Sequence, residues 1–231
     1  MKRTYGLVAL LGLSAAVGSA GIITQIDTFN TTVQAISNPS SAPCAGPFSA
    51  PTAAAPEAAG GYRTITAGGN TGGCATADTN FTFSGGYAAS LPGGTAGLFT
   101  VIWNGRDASN VQQNAIDADF LTGFTFRARQ DADVPPNEVS TVQFRICTNS
   151  DGTGTCTDST IASISNQTLT NYSVSLGGGP FSDINYIRMT VSGGLERDVF
   201  IDFVNADIPE PGTFVLAGAA LLGLAMLRSR E

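Results

Sequence analysis

Two pairs of aspartates carry the spacing that could do chemistry. Asp117 and Asp119 stand two apart in NAIDADF, and Asp131 and Asp133 repeat that spacing in RQDADVPP. On a strand, residues two apart share a face. Paired carboxylates serve glycoside hydrolysis when their separation is ~5–9.5 Å, and their oxygens also suit calcium. The plainer expectation is solvated loop acids on an acidic chain. The stretch NSDGTG, residues 149–154, has part of a calcium-loop pattern but not the full run or the later Glu. It reads first as a tight hairpin turn. Trp103, Tyr62, Tyr87, Tyr172 and Tyr186 could stack on sugar rings, although Trp103 lies in the apolar run LFTVIW and is expected in the core. Arg127 and Arg129 are expected on a solvated strand face, with binding of an acidic polysaccharide as the sharper alternative. Asn30, Asn80, Asn166 and Asn171 each open an Asn-x-Ser/Thr triplet and are read as ordinary polar surface.

Composition excludes several classes. The chain has no histidine, so Ser-His-Asp and Cys-His catalysis are ruled out and the commonest metal ligand is missing. Residues 21–208 hold seven arginines, no lysine and sixteen acids. A surface of that sign repels phosphate backbones, so nucleic acid is not an expected partner. No cofactor is expected, calcium being the one ion the acid spacing could admit. The four cysteines, Cys44, Cys74, Cys147 and Cys156, allow three connectivities. The favoured set is Cys44–Cys74 with Cys147–Cys156, because VQFRIC reads as a strand and TNSDGTGT as the loop of a hairpin. There is no CxxC spacing to suggest a metal site.

The elements that must position these residues read as β throughout. Short segments rich in Thr, Val, Ile and Phe include TQIDTFNTTVQAI, GYRTITA, NFTFSG, GLFTVIW, FLTGFTFRARQ, STVQFRIC, NYSVSL, INYIRMTVS and DVFIDFVNA. In the last, Val199, Ile201 and Phe203 are expected on one face and Phe200, Asp202 and Val204 on the other. Ile187, Met189 and Val191 are expected to face the core. Glycine and proline punctuate the gaps. About nine strands at even spacing predict an all-β fold, an antiparallel β-sandwich with jelly-roll-like connections, a closed barrel being the runner-up. Residues 42–61, rich in Ala, Pro and Ser, are expected to form an exposed loop.

Both ends read as address labels. Residues 1–20 carry Lys2 and Arg3, then an apolar run, then small residues ending at Ala20, which is the layout of a secretory signal peptide cleaved between Ala20 and Gly21. That leaves residues 21–208 as one domain. Pro209-Glu210-Pro211-Gly212 then breaks the last strand, since proline cannot donate to a ladder. Residues 213–227 carry no charge. As a helix they cover ~22 Å, a marginal membrane span against a core of ~30 Å. Arg228 and Arg230 would snorkel and hold the end in the cytoplasm.

The Pro209-Glu210-Pro211 tripeptide, the Gly212-Thr213 that follows, the Ala/Leu/Gly-rich run and the terminal Arg228-Ser229-Arg230 together resemble a PEP-CTERM sorting signal, here residues 209–231. The resemblance implies recognition by an exosortase, a membrane-embedded, cysteine transpeptidase-like enzyme of Gram-negative bacteria. It implies export across the inner membrane, transient anchoring by the C-terminal helix, and a final place at the cell surface or outside it. It also implies a non-enzymatic protein associated with exopolysaccharide or biofilm matrix. A carbohydrate-binding module, or a hydrolase using Asp117 and Asp119, is the alternative. More loosely, four segments are similar to the sandwich domains that carry this signal: Ile26-Asp27-Thr28-Phe29, Gly61-Tyr62-Arg63-Thr64, Val101-Ile102-Trp103-Asn104-Gly105 and Asp202-Phe203. That family usually has Asp where Asn104 stands, which weakens any ion-binding claim.

Overall fold

The computed structural model describes residues 25–32, 34–36, 48–49, 52–69, 76–79, 87–90, 97–116, 118, 120–130, 139–193 and 198–208. The signal-peptide boundary at Ala20 and Gly21, Cys44 and Cys74, Asn80, both aspartate pairs and the whole tail from Pro209 onward lie outside them.

The described residues form fifteen strands and one short 3-10 turn, Ala59–Gly61. The strands are β1 (Gln25–Asp27), β2 (Ala35–Ile36), β3 (Phe48–Ser49), β4 (Ala53–Ala54), β5 (Tyr62–Gly69), β6 (Thr76–Thr79), β7 (Tyr87–Ser90) and β8 (Gly97–Trp103). They continue with β9 (Gly123–Gln130), β10 (Ser140–Cys147), β11 (Cys156–Asp158), β12 (Ala162–Ile164), β13 (Thr170–Ser175), β14 (Tyr186–Gly193) and β15 (Asp198–Asp207).

All pairings are antiparallel and build two sheets. One runs β13-β9-β15-β7-β6-β2, with β1 also on β15; the other runs β11-β10-β14-β8-β5-β3, with β12 on β10 and β4 on β5. The chain crosses between sheets at β2–β3, β5–β6, β7–β8, β8–β9, β9–β10, β12–β13, β13–β14 and β14–β15, which gives the expected sandwich. Phe124 and Phe126 from one sheet meet Phe144 from the other, with ring centroids 4.3 and 5.7 Å apart. The inward residues of β9, β10 and β14 alternate as the sequence predicts: Ile187, Met189 and Val191 are buried. Such alternation is what a sheet with one covered face demands.

Three expectations need correction. Residues 42–61 are not one exposed loop: in their described part β3 and β4 pair with β5, and Ala55, Ala58 and Ala59 are buried in the core, where their small side chains pack closely. The first segment, 24–36, is not one strand. Phe29 takes φ 57°, and its N–H bonds the Asp27 carboxylate at 2.8 Å, which turns the chain out of the ladder after β1. In the last strand, the pairing of β15 with β9 shifts register between Ile201 and Phe203. That bulge reverses the alternation, so Val199 and Ile201 are buried, Phe203 is only half-buried, and Val204 and Ala206 are buried in its place. A bulge inserts one residue and so flips every later side chain.

Because the strands are antiparallel, the molecule has two distinct ends. β8, β10, β13 and β15 finish at one of them, and β5, β9 and β14 begin there. This end gathers the long 104–122 connection, the 148–155 loop and the 176–185 loop. It is also where the chain leaves toward Pro209.

Candidate functional site

Three places at this end hold the chemistry: a buried ionic knot, an open polar cleft and the junction with the tail. The knot uses residues from three of the segments singled out in the sequence. Arg63 on β5 is fully buried, as are Asp27 on β1 and Trp103 on β8. The Arg63 guanidinium donates through Nη1 to both Asp27 oxygens at 2.8 Å, through Nε to Gln34 Oε1 at 2.8 Å, and through Nη2 to the Thr32 carbonyl at 2.8 Å. Trp103 Nε1 donates to Asp27 Oδ2 at 2.7 Å. The Phe29 ring lies under the guanidinium, 5.2 Å from its carbon, and Glu57 Oε1 approaches Arg63 Nη2 at 3.5 Å.

Burial pushes the Asp27 carboxyl up, against the pull of the Arg63 charge and the Trp103 and Phe29 donors. Four donor contacts and no acceptor favour the ionised form, so we read the pair as charged. Trp103 is therefore closed to sugar stacking. Tyr172 stacks on Phe126 at 5.6 Å and Tyr186 is buried, so they too serve packing. Arg127 pairs with Asp202 at 3.4 Å and Arg129 sits over the Phe200 ring at 5.6 Å, on the outer face of their sheet.

The cleft is built from loops. Arg106, Gln112 and Ala115 come from the 104–122 connection, Thr148, Asn149, Ser150 and Asp151 from the β10–β11 turn, and Asn185 from the approach to β14; together they line an open space of about 390 Å³. Gly105 makes the entry turn at φ 64°, where any Cβ would run into the Asn114 carbonyl. Asp107 holds the connection: its Oδ1 accepts the N–H groups of Ser109 and Val111, and its Oδ2 accepts Gln113 Nε2. The Val111 N–H is the first cause of the low pKa of this carboxyl. The second loop is closed by the expected Cys147–Cys156 disulfide. NSDGTG is indeed a turn, with Asp151 Oδ1 accepting both the hydroxyl and the N–H of Thr153. Those bonds, the hydroxyl first, hold the Asp151 carboxyl below the usual range.

Arg106 stitches the loops together, donating to Ser150 Oγ at 3.0 and 2.7 Å and to the Asn110 carbonyl at 2.9 Å. Asn104 donates to the Ser150 carbonyl at 3.1 Å. The amide groups of Asn149 and Asn185 donate to Thr153 Oγ1 and to the Thr148 and Asp183 carbonyls. Their carboxamide oxygens have no donor among the described residues. The wall is thus rich in acceptors and suits a ligand bearing hydroxyl donors. Among the described residues no three His, Cys, Asp or Glu side chains converge as a metal group would. Sequence reasoning missed this cleft, since no local motif marks three segments that meet only in the fold.

At the junction, the Asp207 carbonyl accepts the Thr122 N–H at 2.9 Å and the Thr122 hydroxyl at 2.8 Å, and Ile208 packs on the core. Among the described residues no helix is long and apolar enough to cross a membrane.

No curated protein sequence matches the chain. Among solved structures it is similar to TmCBM61 in complex with beta-1,4-galactotriose, at 13% identity and TM-score 0.33, over 53% of this chain and 70% of that one. It is also similar to a structure from a study of promiscuous carbohydrate-binding modules of the β-sandwich superfamily, at 11% identity and TM-score 0.39, over 62% and 56%. A third is the enzymatically active domain of bacteriophage CBA120 tailspike protein 4, at 11% identity and TM-score 0.36, over 80% of this chain but 22% of that one. These likenesses are weak, and no ligand or activity passes from them to this chain. The tail gives a specific match: residues 207–230 fit the family model of the PEP-CTERM protein-sorting motif. Behind its β-sandwich, this chain carries a PEP-CTERM protein-sorting motif.

Proposed function

We propose that the protein is an exported, non-enzymatic surface or matrix protein of a Gram-negative cell, delivered by an exosortase. The sorting motif carries this reading: it begins at Asp207, the last residue of β15, and its proline-broken segment follows the folded domain after only Ile208. The tail serves as a temporary membrane handle, residues 213–227 spanning and Arg228 and Arg230 stopping transfer. Cutting near Pro209-Glu210-Pro211 frees the sandwich at the surface or into the medium.

There the sandwich associates with exopolysaccharide, and the acceptor-rich cleft beside Arg106 supports a lectin-like contact with sugar hydroxyls. The test is the intact mass of the protein from cells and culture fluid, with and without the exosortase, followed by binding to purified exopolysaccharide. We expect a form lacking residues 1–20 and the tail only when the enzyme is present, and binding without turnover. A mass that retains residues 228–231 in both strains would overturn the sorting claim. Turnover abolished by Asp117→Asn or Asp119→Asn would replace the binding module with a hydrolase.

A further inference from the structure

One aromatic side chain at the tail-bearing end is largely exposed. Phe120 is 58% exposed and holds φ 63°, a conformation uncommon for a bulky residue. The chain beside it is held on its C-terminal side. Its neighbour Leu121 is buried and exchanges both backbone bonds with Phe181, at 3.1 and 3.0 Å. The next residue, Thr122, is the one that clamps the Asp207 carbonyl. Phe120 therefore stands beside the point where the chain leaves the sandwich. Val111, 53% exposed, lies on the same connection.

The length of the tail says what must lie near this end. Four residues separate Ile208 from Thr213, the first residue of the uncharged run. Fully extended, the five Cα-to-Cα steps from Ile208 to Thr213 reach roughly 18 Å. With residues 213–227 in a bilayer, the end bearing Phe120 is confined to the headgroup zone or just above it. We infer that Phe120 seats this end on the lipid surface, its ring in the interfacial layer, and so sets the height at which Pro209-Glu210-Pro211 is presented for cutting. Asp107, Asp151 and Asp183 occupy the loops of the same end and are repelled by anionic headgroups, so the seat is shallow and favours zwitterionic lipid. This inference rests on the membrane stage of the proposed function.

The test uses the chain from Gly21 to Glu231 in phosphatidylcholine vesicles, with and without brominated acyl chains that quench nearby tryptophan. Trp103 is the only tryptophan and is buried, so it sets the background. Phe120→Trp is compared with Val139→Trp, which is also at an exposed position but precedes β10, eight residues and roughly 26 Å from the tail-bearing end. We expect at least twofold stronger quenching of the added tryptophan at 120 than at 139. Equal quenching in a chain that floats with the vesicles overturns the seat and leaves tail insertion standing; a tail folded back over Phe120 would give the same result. A chain that does not float with vesicles overturns the membrane stage, and the seat with it.

Discussion

Replacing Asp27 by asparagine changes almost no volume, yet the geometry makes it costly. Each carboxylate oxygen faces two donors. Oδ1 takes the Phe29 N–H and Arg63 Nη1, both at 2.8 Å; Oδ2 takes Arg63 Nη1 at 2.8 Å and Trp103 Nε1 at 2.7 Å. An amide nitrogen placed at either position meets donors, so flipping the amide brings no relief. The substitution also removes the charge that offsets a fully buried guanidinium. Breaking one partner of a buried pair costs about 3–5 kcal/mol. Glu57, 3.5 Å from Arg63 Nη2, compensates in part, which places the expectation near the lower bound, about 3 kcal/mol.

With a urea slope of about 2 kcal/mol/M, the unfolding midpoint of Asp27→Asn should fall by about 1.5 M. The assay is equilibrium urea unfolding of the mature protein followed by the fluorescence of Trp103. A shift below about 0.5 M, equivalent to about 1 kcal/mol, would refute the idea that the knot holds a charged pair. Arg63→Met combined with Asp27→Leu should be less damaging than Asp27→Asn alone, because no unpaired charge remains at their junction.

Converting Cys147 and Cys156 together to serine opens a ten-residue loop and should cost about 2.7 kcal/mol by loop entropy; a loss under about 0.5 kcal/mol in urea unfolding would mean that the loop's own hydrogen bonds already fix it. Glu57 gives a pH dependence. Burial works to raise its carboxyl, but the N–H groups of Thr32 and Thr31 and the Arg63 charge outweigh it and hold the group below its ordinary 4.5. A depressed carboxyl contributes stability above its unfolded value and loses it as pH falls through the folded one. The stability gap between wild type and Glu57→Gln, measured by denaturant at stepped pH, should be open at pH 7 and close below pH 4.5; a gap independent of pH would refute the role.

What could be read from the sequence was whatever a strand states locally. GLFTVIW and STVQFRIC coincide with β8 and β10, because an interior strand covered on one face must alternate along its whole length. The errors came where tertiary demands overrode local pattern. No glycine or asparagine marks Phe29 as a left-handed residue; it turns because Asp27, held by Arg63 and Trp103, caps its N–H. The bulge at Asp202 is equally silent, since the residues on both sides alternate as a regular strand would. Asp27, Arg63 and Trp103 were visible only as members of segments similar to a family of sandwiches. Their meeting could not be read, because 36 and 40 residues separate them in order along the chain. The cleft was less legible still: Arg106, Ser150 and Asn185 are polar residues in turn-rich stretches, where such residues are ordinary.

The tail was legible for the opposite reason. A signal gripped by another enzyme must be linear, so its tripeptide, apolar run and basic end stand in order on the page. The fold adds where that linear signal starts. Motif and domain share Asp207: its carbonyl binds Thr122 twice, and its carboxylate Oδ1 accepts the Thr125 hydroxyl at 2.8 Å. A cut beyond Ile208 leaves all three bonds intact and β15 whole. A cut before Asp207 would strip Thr122 and Thr125 of their acceptors and open the end of the sheet that β15 shares with β9. The sandwich therefore tolerates processing only on the proline side of Ile208, and the motif's own prolines begin at the next residue.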